Sequence, residues 1–421
     1  MVPSGWEVKT LEQANITVTD GDRGKEYPKS SEFFDSGYCL FLSAKNVTKN
    51  GFSFLDTQFI SEEKHRKLRK GVVKKGDIVL TTRGSVGQFA YYDQTVNFEN
   101  IRINSGMVTL GCLNSELESD FFYALSKSSL IARQIDSAAF GSAQPQLTVK
   151  IIKSLKLPVP PIPEQQKIAK ILSTWDKAIS TTEHLIDNST QQKKALMQQL
   201  LTGKKRLLDD NGQRFEGEWE EYKLGDITDF IRDGTHGTHE RYESGVPMLS
   251  AKNITKQNTV DFDDAPYISE DDYNKIHARY TIESGDILLT VVGTLGRVAL
   301  VPEELAEKFT LQRSVAIIRV AKGVCNQFLM QLFSSSDFTH LLHRKSNSTA
   351  QAGVYLGELG KLKILLPSFE EQQKIATVLT NADKEIELLE QQLADLQQEK
   401  KALMQVLLTG NKRVVVDGEV D

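Results

Sequence analysis

The stretch KKALMQQLLTGKKR at residues 193–206 returns as KKALMQVLLTGNKR at 400–413, an offset of 207 residues. EQQKIA at 164–169 returns at 371–376 with the same offset, as does LSAKNVTK at 42–49, which becomes LSAKNITK at 249–256. GDIVLTTRGSVG at 76–87 matches GDILLTVVGTLG at 285–296 at an offset of 209, and Trp6 pairs with Trp219 at 213. The offset drifts in the first part of each copy and is locked in the last part. Such a period exceeds any solenoid unit, so the chain reads as a duplicated domain-plus-helix module. Two like modules in one chain pack with pseudo-twofold symmetry, in imitation of a homodimer.

The locked segments predict two long helices, from Pro163 to Thr202 and from Glu370 to Thr409. Pro158, Pro160, Pro161 and Pro163 precede the first and Pro367 the second, where a helix entry tolerates proline. Gly203 and Gly410 follow as C-terminal caps. Steps of four and three along the first helix give Ile168, Leu172, Trp175, Ile179, Thr182, Ile186, Ser189, Lys193, Leu196 and Leu200. The second gives Ile375, Leu379, Ala382, Ile386, Leu389, Leu393, Leu396, Lys400, Leu403 and Leu407. This is a heptad seam, and its polar breaks set register at some cost in stability. Helices packed each on its own domain are the alternative, but ordinary globular helices run only roughly 8–20 residues. A rod of about 58 Å, from about 1.5 Å per residue, reads better as a spacer.

The remaining sequence, 1–157 and 207–362, mixes short apolar runs with turn clusters. DIVLTT at 77–82, DILLTVV at 286–292 and VAIIRV at 315–320 read as strands, and Glu116–Ser129 and Val324–Ser336 as helices. The expected class is α+β, with globular domains at 1–157 and 207–362 and long helices at 158–206 and 363–421.

A chain of 421 residues fits two to four domains, and 39% hydrophobic with 25% charged residues is ordinary for a soluble protein. No apolar run approaches the roughly 20 residues that span a bilayer, and MVPSGWEVKT has no apolar signal core. A cytoplasmic protein without membrane contact is expected. Cys39, Cys112 and Cys325 suit neither a disulfide framework nor a zinc site, and read as buried thiols in a reducing compartment. The net charge of −5 hides a gradient: 151–206 carries +6 and 207–360 carries −9. Affinity for DNA depends on the local field, so an acidic total does not exclude it, but a partner then supplies part of the phosphate grip.

Candidate contacts lie where the copies differ. DGDRGKEYP at 20–28 stands where the second copy has DGTHGTH at 233–239. Arg23 and Lys25 can donate to guanine edges or phosphates, and His236 and His239 can donate or accept. The two-glycine turns after a strand, with Arg83 and Ser85 in one copy and Thr294 and Arg297 in the other, could seat a phosphate or a base or be plain hairpin turns. The basic run HRKLRK at 65–70 is a solvated helix face or a phosphate-binding ridge. The LSAKN segment, identical in both copies, reads as scaffold.

No phosphate-binding loop of the G-x-x-x-x-G-K-[ST] type occurs, and neither does the F-x-G-x-G and [NDS]-P-P-[YF] pair of an adenine-N6 methyltransferase. No acidic cluster has nuclease spacing, and two histidines without cysteine or carboxylate support are weak grounds for a metal. No catalytic residue, cofactor or metal is expected.

With its two EQQKIA motifs, its two LLTGxKR endings and DGTHGTHERYESGVPMLSAKNI at 233–254, the chain resembles the specificity subunits of type I restriction–modification systems over essentially its whole length. The resemblance implies two target-recognition domains that read the halves of a bipartite double-stranded DNA site. It also implies an antiparallel coiled coil that fixes the gap, two methyltransferase subunits as partners, and motor–nuclease restriction subunits that join later. The acidic second recognition region departs from a domain that grips DNA unaided. The competing reading is an enzyme, a fused methyltransferase or nuclease with its own recognition domains, against which the missing cofactor loop speaks. A bare coiled-coil scaffold would leave two sizeable domains without a role.

Overall fold

A computed structural model describes residues 2–139, 146–346 and 353–416. The expected domain bounds also take in 140–145, 347–352 and 417–421, which lie outside the described residues. The chain forms two compact units, Met1–Glu183 with Gln392–Asp421 and His184–Gln391. Each long helix begins in one unit and ends in the other.

In the first unit, strand Glu7–Thr10 pairs antiparallel with Lys156–Val159, so the chain enters the globular region beside its exit into the long helix. The central sheet orders Thr17–Asp20, Met107–Gly111, Ile78–Thr81 and Phe89–Tyr91, all antiparallel. A second sheet orders Phe59–Ile60, Cys39–Leu42, Ile101–Ile103 and Val72–Val73, with Cys39–Leu42 and Ile101–Ile103 running parallel. All four residues of Ile78–Thr81 are buried, as an unbroken apolar run requires. The two-residue alternation of a strand divides them between two cores. Ile78 and Leu80 join Val108, Leu110 and the long-helix residues Ile168, Leu172 and Leu407. Val79 faces the other way, with Leu40, Leu42 and Ile101 of the second sheet.

The second unit repeats this plan. Glu220–Lys223 pairs with Lys363–Leu366, and the central sheet orders Thr228–Asp233, Val315–Val320, Ile287–Thr290 and Val298–Leu300. Ile287 and Leu289 pack with Leu200, Ile375 and Leu379, while Leu288 and Ile317 pack with Leu249 and Leu311. The smaller sheet, Tyr267–Ile268, Val246–Leu249 and Thr310–Leu311, keeps the parallel pair. The helices expected at 116–129 and 324–336 are shorter, Ser119–Ser126 and Asn326–Phe333, each followed by a second helix, Ser129–Ala139 and Ser336–Lys345.

The long helices run Ile162–Leu200 and Phe369–Leu407. Gly203 and Gly410 close them in the left-handed region, with φ of 69° and 74°. All twenty seam positions are buried or half-buried, and Ile168, Leu172, Ile375 and Leu379 are at most 1% exposed. Trp175, Ile179, Ile386 and Leu389 are half-buried. In the first unit Glu164 meets Arg413 and Asp176 meets Lys400 (2.5 Å), so one helix counts up as the other counts down. The pairing is antiparallel. In the second unit Glu371 meets Arg206 (2.6 Å) and Asp383 meets Lys193. The charged seam positions Lys193 and Lys400 are thus neutralised by an aspartate on the opposite helix, which specifies register.

The EQQKIA motif serves this arrangement. Its glutamate binds the arginine of the opposite LLTGxKR ending. Its first glutamine ties the helix to its globular region: Gln165 donates to the carbonyls of Glu116 and Pro160 (both 2.8 Å) and accepts from the Glu118 N–H (2.9 Å). Gln372 accepts from the Cys325 N–H (2.9 Å) and donates to the Pro367 carbonyl (3.0 Å). The isoleucine and alanine enter the core.

Candidate nucleic-acid interface

In each globular region one strand of the central sheet ends in Asp-Gly, and the glycine is obligatory. A Cβ on Gly21 would stand 2.0 Å from the Asn104 carbonyl oxygen, and one on Gly234 2.0 Å from that of Leu311. This close approach sends the following residues, 22–28 or 235–239, across the end of the sheet beside 104–106 or 311–314. There Arg23 donates to the Ser105 carbonyl (3.2 Å), and the N–H groups of Thr82 and Arg83 reach the Gly106 carbonyl (2.7 and 3.3 Å). In the second region the Arg313 N–H donates to Thr235 (3.1 Å), and the Val291 N–H to Ser314 (2.9 Å). The loops singled out by sequence divergence and the two-glycine turns therefore converge on one end of each region.

Arg23, Lys25, Arg83 and Ser85 are exposed. Gly84 and Gly293 have φ of 73° and 79°, and a Cβ at either would meet nothing within 4 Å. Backbone is open to a ligand there, whereas Gly87 and Gly296 pack on the Ile135 and Thr339 side chains. Thr294 is exposed, but Arg297 is half-buried and donates to the Ile254 carbonyl (3.1 Å), back towards the LSAKN turn. That turn is scaffold: Asn46 and Asn253 are buried, cap their own 3-10 turns and bind the carbonyls of Asp56 and Asp263.

His236 is exposed and bonded to Asp233 (2.7 Å). His239 is half-buried between Thr235 Oγ1 (2.9 Å) and Asp272 (3.4 Å). No group of three or more histidine, cysteine, aspartate or glutamate side chains suited to a metal occurs among the described residues.

Sequence reasoning missed the groups that hold these loops. Asp22, 6% exposed, accepts from the N–H groups of Gly24 and Arg69 (both 2.7 Å). The Gly24 N–H first, and the Arg69 N–H and charge after it, hold its carboxyl below the usual range. Arg102 is buried beneath residues 65–70. An arginine between two isoleucines in a buried strand was the available signal. The basic run itself divides. Its helix, Glu62–Lys67, carries the surface pairs Arg66–Glu62 and Lys67–Glu63, and Arg69 and Lys70 lie beyond the helix end.

The chain matches the family model of the type I restriction modification DNA specificity domain twice, over residues 3–189 and 216–398. It is 27% identical to the MjaVIII specificity subunit of Methanocaldococcus jannaschii, over 98% of this chain and 94% of that protein. It is 24% identical to the EcoKI specificity subunit of Escherichia coli, over 89% and 81% of the two chains. The crystal structure of a type I restriction–modification S subunit from M. genitalium superposes with a TM-score of 0.60 at 18% identity, over 97% of this chain and 96% of that one. The chain belongs to the type I restriction–modification DNA specificity family. Within it, the protein is a non-catalytic specificity subunit, the component that provides DNA target recognition in a type I complex. No described helix is long and apolar enough to cross a membrane.

Proposed function

We propose that this subunit reads a bipartite double-stranded DNA site, one half with the domain at 1–157 and the other with the domain at 207–362. The helices at 158–206 and 363–421 set the gap between the half-sites. The reading residues are Arg23, Lys25, Arg83 and Ser85 in the first domain and His236, His239, Thr294 and Arg297 in the second. One observation carries this: the same loop cluster is built twice on one frame, with cationic chemistry in one copy and histidine chemistry in the other. A frame shared by both copies supplies position, while base-edge contacts supply specificity. The duplicated Glu–Arg and Asp–Lys contacts favour two copies of one methyltransferase subunit as partners, with motor–nuclease restriction subunits added to that core. The partners also supply phosphate grip that the acidic second domain lacks.

The test is to replace residues 1–157 by the equivalent region of a relative and sequence the methylated sites in cells carrying the complete system. One half-site should change while the other half and the spacer persist. Simultaneous change of both halves would sink the modular reading.

A further inference from the structure

Arg102 lies on strand Ile101–Ile103, whose isoleucines point into the core between the two sheets. Its own side chain points the other way and is 4% exposed. A buried guanidinium is expensive unless its donors are satisfied, and an ion pair is the usual solution. Here the hydrogen bonds go to backbone instead: to the carbonyls of Lys70 (2.5 Å), His65 (2.7 Å) and Leu68 (2.9 Å), with Nε on His65 Nδ1 (3.1 Å). All four acceptors belong to residues 65–70, so a single side chain grips that segment along its length.

The frame does not require an arginine there. Arg102 stands opposite Phe41 in the parallel pair, and Thr310 stands opposite Met248 in the matching pair of the second region. Thr310 is fully buried and makes one side-chain bond to its overlying segment, to His277 Nε2 (2.9 Å). The same fold is completed by a small hydroxyl, so what the arginine adds is specific to the segment above it.

That segment touches the first reading loop. The Arg69 N–H donates to Asp22, the Lys70 ammonium lies 3.1 Å from Asp20, and a Cβ on Gly71 would stand 3.3 Å from the Gly21 Cα. The side chains of Arg69 and Lys70 are 78% and 59% exposed. Two cations are thereby fixed at the same end of the region as Arg23 and Lys25. Their aspartate contacts are exposed on the cation side, and phosphates can compete for them.

We infer that Arg102 is a positioning residue for DNA binding by the first domain: from inside the fold it holds residues 65–70 so that Arg69 and Lys70 meet the phosphates flanking the first half-site. This rests on the proposed reading of that domain. Each cation–phosphate contact releases counterions and contributes about one unit to the salt dependence of binding.

The test uses the complete subunit assembled with its methyltransferase partners and a duplex carrying the sequence that the complex methylates. Binding is measured against salt concentration for four forms: wild type, Arg69→Gln with Lys70→Gln, Arg102→Met and Arg102→Lys. The double variant should lower the slope by about two. Arg102→Met should lower it by about one to two, with base preference at the second half-site unchanged. Arg102→Lys, which restores donors to the carbonyls, should recover part of the loss. A purely structural arginine would weaken assembly or thermal stability and leave the slope of the assembled complex alone. An unchanged slope in the double variant overturns the inference even if Arg102→Met fails to fold, as does an unchanged slope in a folded Arg102→Met complex. Sequence preference at the first half-site in wild type, combined with unchanged slopes, sinks the role of Arg102 alone. Absence of any preference there sinks the underlying reading as well.

Discussion

The two globular regions share a frame and differ in how the loops proposed to read DNA are tied down. In the first, a buried arginine and a buried aspartate hold a basic loop from below through backbone groups. In the second, side chain meets side chain: His239 with Thr235 and Asp272, His277 with Thr310. The segment that is basic in the first copy begins with Glu270, Asp271 and Asp272 in the second. The loops can change chemistry because the Asp-Gly crossing, the parallel strand pair and the LSAKN turn stay the same beneath them. The loops that differ between the copies are carried on contacts that the copies share.

The comparison breaks most easily at the helix ends. Glu371 is fully buried and its partner Arg206 only 15% exposed, whereas Arg413 opposite Glu164 is 43% exposed. Removing one partner of a buried pair strands the other charge. Arg206→Met should therefore cost about 3–5 kcal/mol of unfolding free energy. Arg413→Met should cost clearly less, because solvent screens that pair and the Trp6 indole N–H remains on Glu164 (3.3 Å). Equal losses in denaturant unfolding would mean that burial is not what separates the two ends.

Much of this frame is legible in the sequence. The 207-residue repeat and the heptads survive as such because a coiled-coil seam depends on spacing along one helix, which sequence shows directly. The buried strands at 78–81 and 287–290 are legible for the same reason. What pairs with what is not. Glu164 finds Arg413 across 249 positions through the antiparallel pairing of the long helices, and Asp22 finds Arg69 across 47 through the pairing of short strands. Arg83 and Arg297 look equivalent as neighbours of two-glycine turns, but they flank opposite sides of the turn. One points outward and the other towards a carbonyl of its own domain.

That last difference makes the next prediction. Arg83→Ala should weaken DNA binding by the assembled complex, by about 1–3 kcal/mol if it reads a base or by about one unit of salt slope if it meets a phosphate. Arg297→Ala should change binding less and thermal stability more. The reverse order would make Arg297, rather than Arg83, the stronger reading contact.

Acid sharpens the contrast between the loops. Burial first, and then the Arg102 charge, lowers the pKa of His65, whose other charged neighbours are Arg66 and Glu62 and whose ring packs edge-on to Tyr38. Burial likewise lowers that of His277, against weaker upward effects of the Tyr280 carbonyl and Glu307. A lowered histidine favours the neutral folded form, so its stabilisation is complete above the unfolded value of about 6.5 and is lost as pH falls below it. The melting temperature should decline from about pH 6.5 downward. His65→Gln, whose amide oxygen can still accept from Arg102, should remove the first domain's share of that decline. An undiminished decline in this variant would assign the acid sensitivity elsewhere.

The smallest expected effect concerns the two tryptophans, which occupy matching places against the helix-closing glycines. A Cβ on Gly410 would stand 3.3 Å from Trp6, and one on Gly203 3.3 Å from Trp219. Trp6 Nε1 donates to Glu164, while Trp219 Nε1 is buried without a hydrogen-bond partner among the described residues. A bond of ordinary strength is worth about 1 kcal/mol net, and an unpaired buried donor has already incurred its desolvation cost. Tryptophan to phenylalanine also changes ring volume, so single variants mix packing with hydrogen bonding. Double-mutant cycles separate them. Trp6→Phe combined with Glu164→Leu should show a coupling of about 1 kcal/mol, since the loss of the Arg413 contact is common to both arms and cancels. Trp219→Phe combined with Glu371→Leu should show coupling near zero. A comparable coupling in the second cycle would mean that the indole N–H of Trp219 finds the carboxylate in solution, making the two helix ends chemically alike.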